Sequence, residues 1–204
     1  MSHLKERILG QKTVVFTIGH STRTISEFIE IIKAYGIKKV VDIRTIPKSR
    51  YNPQFNEDTL RESLKETKIA YLHMKGIGGL RHALKDSPNM GWRNASFRGF
   101  ADYMQTGEFE QSLEKVIEAA EKGATVIMCA EAVPWRCHRS LVGDALLIRG
   151  FQVRHIMSAG SSRDHTLTPW AKVKGAKITY PFELGAQDTA KLIKARPKPI
   201  TWSE

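Results

Sequence analysis

The chain has 204 residues, 41% of them hydrophobic, and carries 32 Lys and Arg against 21 Asp and Glu, a formal net charge of +11. This composition is typical of a globular domain and excludes disordered, collagen-like and low-complexity chains. No apolar run approaches the roughly 20 residues that a membrane helix needs, and the polar N-terminus lacks an apolar signal core, so we expect a cytoplasmic protein without membrane contacts.

Hydrophobic periodicity predicts strands alternating with helices. Residues 14–18 form a β-branched apolar run that is typical of a strand buried on both faces. Apolar residues spaced from Ile25 to Ile32 predict a helix that ends at Gly36 and is capped by Ser21, Thr22 or Thr24. The later predicted elements are a strand over 39–43, a helix over 57–67, a strand over 69–73, a helix over 109–122, a strand over 124–129, a helix over 137–148 and a strand over 151–156.

This alternation indicates a mostly parallel sheet with helices on both faces. We therefore predict an α/β fold, a Rossmann-like three-layer α/β/α sandwich of about five strands. Residues 1–204 are predicted to form a single domain, with a core at about 13–158 and an irregular C-terminal extension over 159–204. Residues 75–99 form an unusually long connection, which favours a lid over a polar ligand. The predicted lid residues are Gly78, Gly79, Trp92 and Arg93.

Polar side chains follow the predicted strands at their carboxyl ends. Ligands of open α/β sheets bind beyond these ends, so we predict that side chains from four strand ends form one site. They are His20 and Ser21 at the first strand, Asp42, Arg44 and Arg50 at the second, His73 and residues 76–79 at the third, and Cys129, Glu131, Cys137, His138 and Arg139 at the fourth.

Several of these motifs together resemble the DUF488 family. The motifs are Gly19-His-Ser21, Asp42-Ile-Arg44, the segment from Arg50 to Phe55, Gly78-Gly79, and the run from Cys129-Ala-Glu131 to Cys137-His-Arg139. The resemblance covers about residues 16–156. It implies an α/β fold but no particular reaction, because the reaction of the family is not established.

The residue types themselves favour acid–base and thiol chemistry. We expect Glu131 to be the first candidate for a general acid or base, since burial and neighbouring cations can set its pKa, and Asp42 the second. Cys137, near a predicted helix N-terminus, is the candidate nucleophile, with His20 or His138 as its base. Cys129, at the end of an apolar strand, is expected to belong to the core.

Structural roles are open for the same residues. Ser21 can cap a helix, His20 can be a buried imidazole, and Asp42 can hold Arg44 in an ion pair.

The same segments also contain candidate anion binders. Free N–H groups at helix N-termini and arginine side chains bind phosphate oxygens. Neither the phosphate-binding loop motif of nucleotide hydrolases nor the dinucleotide motif Gly-x-Gly-x-x-Gly is present, which disfavours those two classes. The predicted anion-binding residues are Ser21, Arg44, Arg50, His138 and Arg139.

These patterns favour an enzyme that acts on a phosphorylated or nucleotide-like substrate. One alternative is a nucleic-acid-binding protein without catalysis, because Tyr51, Phe55, Trp92, Phe97 and Phe100 are interspersed with arginines. Another is a redox or metal protein that uses Cys129 and Cys137, although their spacing is not that of a structural zinc site. No metal ligand set, cofactor or oligomeric state is predicted.

Overall fold

The computed structural model describes residues 12–182. Three short 3-10 turns, Pro53–Phe55, Lys75–Ile77 and Pro134–Arg136, lie in the connections. The helices and strands are β1 (Val14–Gly19), α1 (Ile25–Ala34), β2 (Lys39–Asp42), α2 (Glu57–Glu66), β3 (Ala70–His73), α3 (Ala95–Tyr103), α4 (Gly107–Glu121), β4 (Thr125–Cys129), α5 (Arg139–Leu147), β5 (Gln152–Ser158), β6 (Ser161–Asp164), β7 (Lys172–Lys174) and β8 (Lys177–Thr179).

The central sheet has six strands in the order β3-β2-β4-β1-β5-β6. The first five are parallel, and β6 pairs with β5 in the antiparallel direction. Gly19 pairs with Cys129, and Asp42 with Met128, so the carboxyl ends of β1, β2 and β4 lie at one edge of the sheet. The predicted α/β class and mostly parallel sheet are confirmed.

Helices cover both faces of this sheet. One core contains Ile18 and Met128 from the strands together with Phe28 of α1 and Leu60 of α2. The core on the other face contains neighbouring strand residues such as Ile127, packed with α3, α4 and α5. Alternate strand residues enter opposite cores because successive side chains of a strand point to opposite faces.

The structure differs from the sequence expectations in the connections. Helix α3 lies within and just beyond the predicted loop 75–99, capped by the Asn94 side chain. Helix α5 begins at Arg139, two residues later than predicted, and Thr24 is the residue that caps α1, in a capping box with Glu27. Strands β6, β7 and β8 lie in the predicted irregular extension. They are three or four residues long and mostly exposed, so they leave no apolar periodicity to detect.

Residues 183–204 of the predicted extension, and residues 1–11, lie outside the described residues. None of the helices within residues 12–182 has the length and hydropathy required to span a bilayer.

Asp144 on α5 holds the segment after β6 against the body of the protein. Its fully buried carboxylate accepts hydrogen bonds from the Thr168 hydroxyl at 2.6 Å, the Tyr180 hydroxyl at 2.8 Å and His165 Nε2 at 2.8 Å. His165 Nδ1 in turn lies 3.0 Å from His155 Nε2 of β5. The buried charge is therefore compensated by hydrogen bonds from the segment that it anchors, and His165 links this segment to β5.

Replacing Asp144 by Ala should destabilise the protein by about 3 kcal/mol, because it leaves several buried donors without an acceptor. Urea denaturation measures the change in the free energy of unfolding. Asp164→Ala is the matched control, since Asp164 is exposed and pairs only with groups on the surface of β5 and β6. Equal effects of the two substitutions would contradict the anchoring role of Asp144.

Candidate functional site

A cleft opens where the loops after β1 and β4 diverge. These two strands are neighbours, but β1 continues into α1 on one face of the sheet and β4 into α5 on the other. Such a switch point is where open α/β sheets bind ligands. The cleft has a volume of about 740 Å³, within the usual range for small-molecule sites. Its lining includes His20, Ser21, Thr22, Arg44, Thr45, Lys48, Ser49, Asn52, Gly79, residues 129–132, Arg136, Cys137 and His138.

Arg139 lies beneath this cleft with only 1% of its surface exposed. Its guanidinium donates to Cys129 Sγ at 2.6 Å, to the Ala132 carbonyl at 2.8 Å and to the Glu131 carbonyl. No carboxylate within residues 12–182 forms an ion pair with it. A buried cation needs a compensating partner, and the thiol of Cys129 is the group in contact that can supply a negative charge.

Gly19 makes this arrangement sterically possible. A Cβ atom at this position would lie 1.8 Å from the Glu131 carbonyl oxygen and 2.9 Å from Arg139 Nη1. The loop after β4 therefore rests directly on the backbone of β1. The glycine of the Gly19-His-Ser21 motif is required by close approach, not by an unusual backbone angle.

The two cysteines are free thiols in contact, with their sulfur atoms 2.9 Å apart. Burial would raise the pKa of the Cys129 thiol, but hydrogen bonds from Cys137 and Arg139 and the charge of Arg139 outweigh it and lower the pKa to about 7. The pKa of Cys137 is raised well above its ordinary value, because it shares its proton with Cys129 and is buried. Cys129 is consequently the more acidic thiol of the pair.

The order of acidity differs from the expectation from the sequence. Cys137 is the expected nucleophile because it precedes α5 and is flanked by cations, yet the pKa of its thiol is raised. Cys129 was expected to be inert in the core, and it is buried, but it contacts a guanidinium as well as apolar residues. The sequence offered one signal for this contact, the arginine of the Cys-His-Arg motif. It does not reveal that the arginine side chain points toward Cys129.

Arg44 is the second positioned cation of the cleft. Its Nη2 donates to Asp42 Oδ2 at 2.5 Å and to the Phe55 carbonyl at 2.7 Å, and its Nε donates to Asp42 Oδ1 at 2.9 Å. Asp42 also accepts from the Tyr71 hydroxyl at 2.8 Å, is fully buried and does not line the cleft. This geometry gives Asp42 the structural role of holding Arg44, while its role as an acid or base stays a prediction.

His20 orients Arg44 from the other side. Burial lowers the pKa of His20 to about 4, so the ring is neutral at pH 7. Its Nδ1 lies 2.8 Å from the Ser21 carbonyl, which can only accept, so Nδ1 carries the proton. Nε2 then accepts from Arg44 Nη1 at 3.3 Å, and the ring stacks on Phe55 with centroids 4.2 Å apart. Its lone pair is already engaged, which does not favour a role as a general base.

Two other predicted anion binders do not supply positive charge to the cleft. Arg139 lies beneath the cleft and does not line it, and its terminal nitrogens are engaged with Cys129 and the loop. Burial lowers the pKa of His138 to about 4, so this side chain is neutral at pH 7. It packs against Phe100 and Gly79, where a Cβ atom would lie 2.4 Å from His138 Nδ1. Both residues thus shape the cleft.

The remaining predicted site residues divide between the cleft and its surroundings. Glu131 lines the cleft, but its side chain is exposed, so the expected burial is wrong. Ser21 also lines the cleft, with a left-handed φ of 52°. Arg50 and Arg93 are exposed and do not line it. Thr45 and Asn52 also line the cleft, but neither residue type carries a distinctive chemical signal by which the sequence could have revealed its position.

The long connection after β3 lies partly at the cleft and partly packed away from it. Gly79 lines the cleft, and Gly78 packs against Thr45, where a Cβ atom would lie 2.4 Å from the hydroxyl oxygen. Trp92 stacks on Phe97 with centroids 4.8 Å apart and makes an edge contact with Trp170. Part of the predicted lid therefore packs against the core as an aromatic cluster.

Metal ligation receives no support from the side-chain positions. Within the described part of the chain, no three His, Cys, Asp or Glu side chains are grouped so that they could hold a metal ion.

Comparison with known protein families returns one match. The sequence model described as Domain of unknown function DUF488 matches residues 24–146, more than half of the chain. Comparisons with curated proteins and with solved structures returned no match. The matched range includes Asp42, Arg44, both cysteines and Arg139, whereas Gly19, His20 and Ser21 precede it.

Replacing Gly19 by Ala should destabilise the protein by about 2 kcal/mol or more, because the added methyl group displaces the Glu131 carbonyl. The same substitution at Gly107, which has open space around its Cα, is the control and should cost nothing. Thermal unfolding compares the two variants. A Gly19→Ala protein as stable as Gly107→Ala would contradict the close approach of β1 and the loop.

Acidification below pH 6.5 should destabilise the protein. Burial lowers the pKa of His20 and His138 to about 4 and that of His155 to about 3, from 6.5. Below pH 6.5 the unfolded chain binds protons that the folded chain excludes. The free energy of unfolding therefore decreases as the pH is lowered, by up to about 1.4 kcal/mol per pH unit for each histidine. Urea denaturation from about pH 7 to about pH 5 measures the slope. A constant free energy of unfolding would contradict burial of neutral histidines.

Proposed function

The chain belongs to the DUF488 family, a domain of unknown function, and we propose that it is an enzyme acting on a phosphorylated or nucleotide-like substrate through the Cys129 thiolate. The observation that carries this proposal is the hydrogen bond from the buried Arg139 guanidinium to Cys129 Sγ at 2.6 Å. It supplies a thiolate near neutral pH at the end of a rigid strand. An activated thiolate in a cleft is a nucleophile.

The charge of the cleft favours an anionic substrate. Among the described residues, three cations line it, Arg44, Lys48 and Arg136, against one carboxylate, that of Glu131. Arg44 is held on two sides by Asp42 and His20, which preorganises its guanidinium for a phosphate oxygen. Lys48 and Arg136 are exposed and add electrostatic attraction for an anion at the rim of the cleft. A volume of about 740 Å³ accommodates a nucleotide-sized molecule.

The residues support a two-step transfer. In the first step the Cys129 thiolate attacks phosphorus, the bond to the leaving oxygen breaks, and the Glu131 carboxyl protonates that oxygen. In the second step the Glu131 carboxylate accepts a proton from water, which attacks the cysteinyl phosphate and releases phosphate and the thiolate. Arg44 would stabilise the charge on the phosphoryl oxygens in both steps.

Nucleic-acid binding without catalysis has weaker support. Of the five aromatic side chains considered for base stacking, Tyr51 alone is exposed, at 88%. Phe55 and Phe100 are buried in the cores, and Trp92 and Phe97 stack on each other. A platform for stacking bases needs several exposed ring faces, and of these four side chains only Phe97 also lines the cleft.

Inorganic phosphate should protect Cys129 from alkylation by iodoacetamide. Arg44→Lys keeps a charge beside Asp42 but loses the guanidinium fork, so protection should require about 10-fold more phosphate. Arg50→Lys, an exposed arginine outside the cleft, should behave as the wild type. Mass spectrometry identifies the alkylated cysteine. Equal protection of the two variants, or alkylation that phosphate does not slow, would sink the proposed anion site.

Turnover of p-nitrophenyl phosphate tests the nucleophile itself. Cys129→Ser should abolish release of p-nitrophenol, and Glu131→Gln should slow it by about 100-fold. Acid quenching during turnover should trap phosphate on Cys129. Retained activity in Cys129→Ser, with the fold verified by thermal unfolding, would refute the thiolate mechanism.

A further inference from the structure

The two thiols are close enough to form a bond. Their sulfur atoms are 2.9 Å apart, so formation of a disulfide of about 2.0 Å requires an approach of only about 0.9 Å. Both side chains are buried against the same core, yet both line the cleft. The sequence contains no other cysteine. A small oxidant or reductant that enters the cleft therefore meets a preassembled pair.

The backbone allows the required movement on one side of the pair. Cys129 ends the central strand β4, and its partner Gly19 fixes it on β1. Cys137 lies between the 3-10 turn Pro134–Arg136 and α5, in a loop whose Trp135 and Arg136 are exposed. Shifts of a few tenths of an ångström are absorbed more easily by such a loop than by a buried strand. Cys137 would therefore move toward Cys129.

We propose that Cys137 is the resolving cysteine of Cys129 and that the pair forms a reversible disulfide when a hydroperoxide enters the cleft. The Cys129 thiolate attacks the distal peroxide oxygen, the O–O bond breaks, and the alkoxide or hydroxide takes up a proton from water. Cys129 is then a sulfenic acid. The Cys137 sulfur attacks the Cys129 sulfur, the S–O bond breaks, and the departing hydroxide takes the Cys137 proton to form water.

Arg139 makes this disulfide easy to reduce. It contacts the Cys129 sulfur and has no carboxylate partner among the described residues, so oxidation removes the negative charge that compensates it. Stabilisation of the reduced form makes a disulfide a stronger oxidant. A dithiol reductant would then restore the thiolate. Disulfide formation would also remove the nucleophile and block catalysis; this consequence rests on the proposed function, whereas formation of the disulfide does not.

Hydrogen peroxide titration of the full-length chain tests the proposal. The wild type should lose both thiols together and two hydrogens in mass, without intermolecular dimers, and dithiothreitol should restore both. In Cys137→Ser, Cys129 should instead gain oxygen and progress to sulfinic acid. In Cys129→Ser, Cys137 should remain a thiol at peroxide concentrations that convert the wild type completely.

Two results would overturn the proposal. One is wild-type protein in which Cys129 gains oxygen while Cys137 stays a thiol, and the other is a disulfide that joins two chains. These readouts need no substrate, so they are independent of turnover of p-nitrophenyl phosphate. A disulfide in a protein without phosphatase activity would refute the proposed function alone, and activity without a disulfide would refute this inference alone.

Discussion

Burial of the Arg139 guanidinium, which has no carboxylate partner within residues 12–182, is the constraint on which the cleft depends. The cost of removing this cation from water is offset by two loop carbonyls and the Cys129 sulfur. Those contacts shape the loop after β4, which in turn requires a glycine at position 19 of β1. One buried charge thus fixes the path of the loop and the ionisation of the thiol. The reactivity of Cys129 is a property of the junction between two strands and a helix.

The two arginines near the cleft are compensated in different ways, and the difference assigns their roles. Arg44 is neutralised by the Asp42 carboxylate, in a buried ion pair that involves neither thiol. Arg139 depends on a thiol that can lose its negative charge by protonation, alkylation or oxidation. The first arginine is therefore suited to holding a substrate, and the second couples the chemical state of Cys129 to the electrostatics of the site. The contact between Arg139 and Cys129, which would activate the nucleophile, would also favour reduction of a disulfide at Cys129.

The hydrogen bonds of Asp144 support the junction of β1, β4 and α5 from the far end of α5. The helix begins at Arg139 and carries Asp144, which holds Thr168, Tyr180 and His165. The chain of hydrogen bonds continues through His155 to the Thr17 hydroxyl on β1, 2.7 Å from His155 Nδ1. Burial lowers the pKa of His155 to about 3, so this ring is neutral at pH 7 and one of its nitrogens accepts a hydrogen bond while the other donates one. The extension that sequence periodicity did not resolve is thus tied to both β1 and α5.

The sequence by itself determined the order of strands and helices, because apolar periodicity is local and survives in runs such as residues 14–18 and 124–129. It also predicted that polar residues gather at the sheet edge, since parallel strands align their carboxyl ends, but not that Arg50 and Arg139 stay out of the cleft. It missed α3, which Asn94 caps locally but whose burial depends on contacts with distant segments, and the short strands after Ser158. Only the tertiary structure decided that Cys129 contacts the Arg139 guanidinium, which lowers the pKa of its thiol, and that His20 contacts Arg44. Ionisation depends on burial and on the direction of a few charged groups, and residues ten or more positions apart acquire these only when the strands pair.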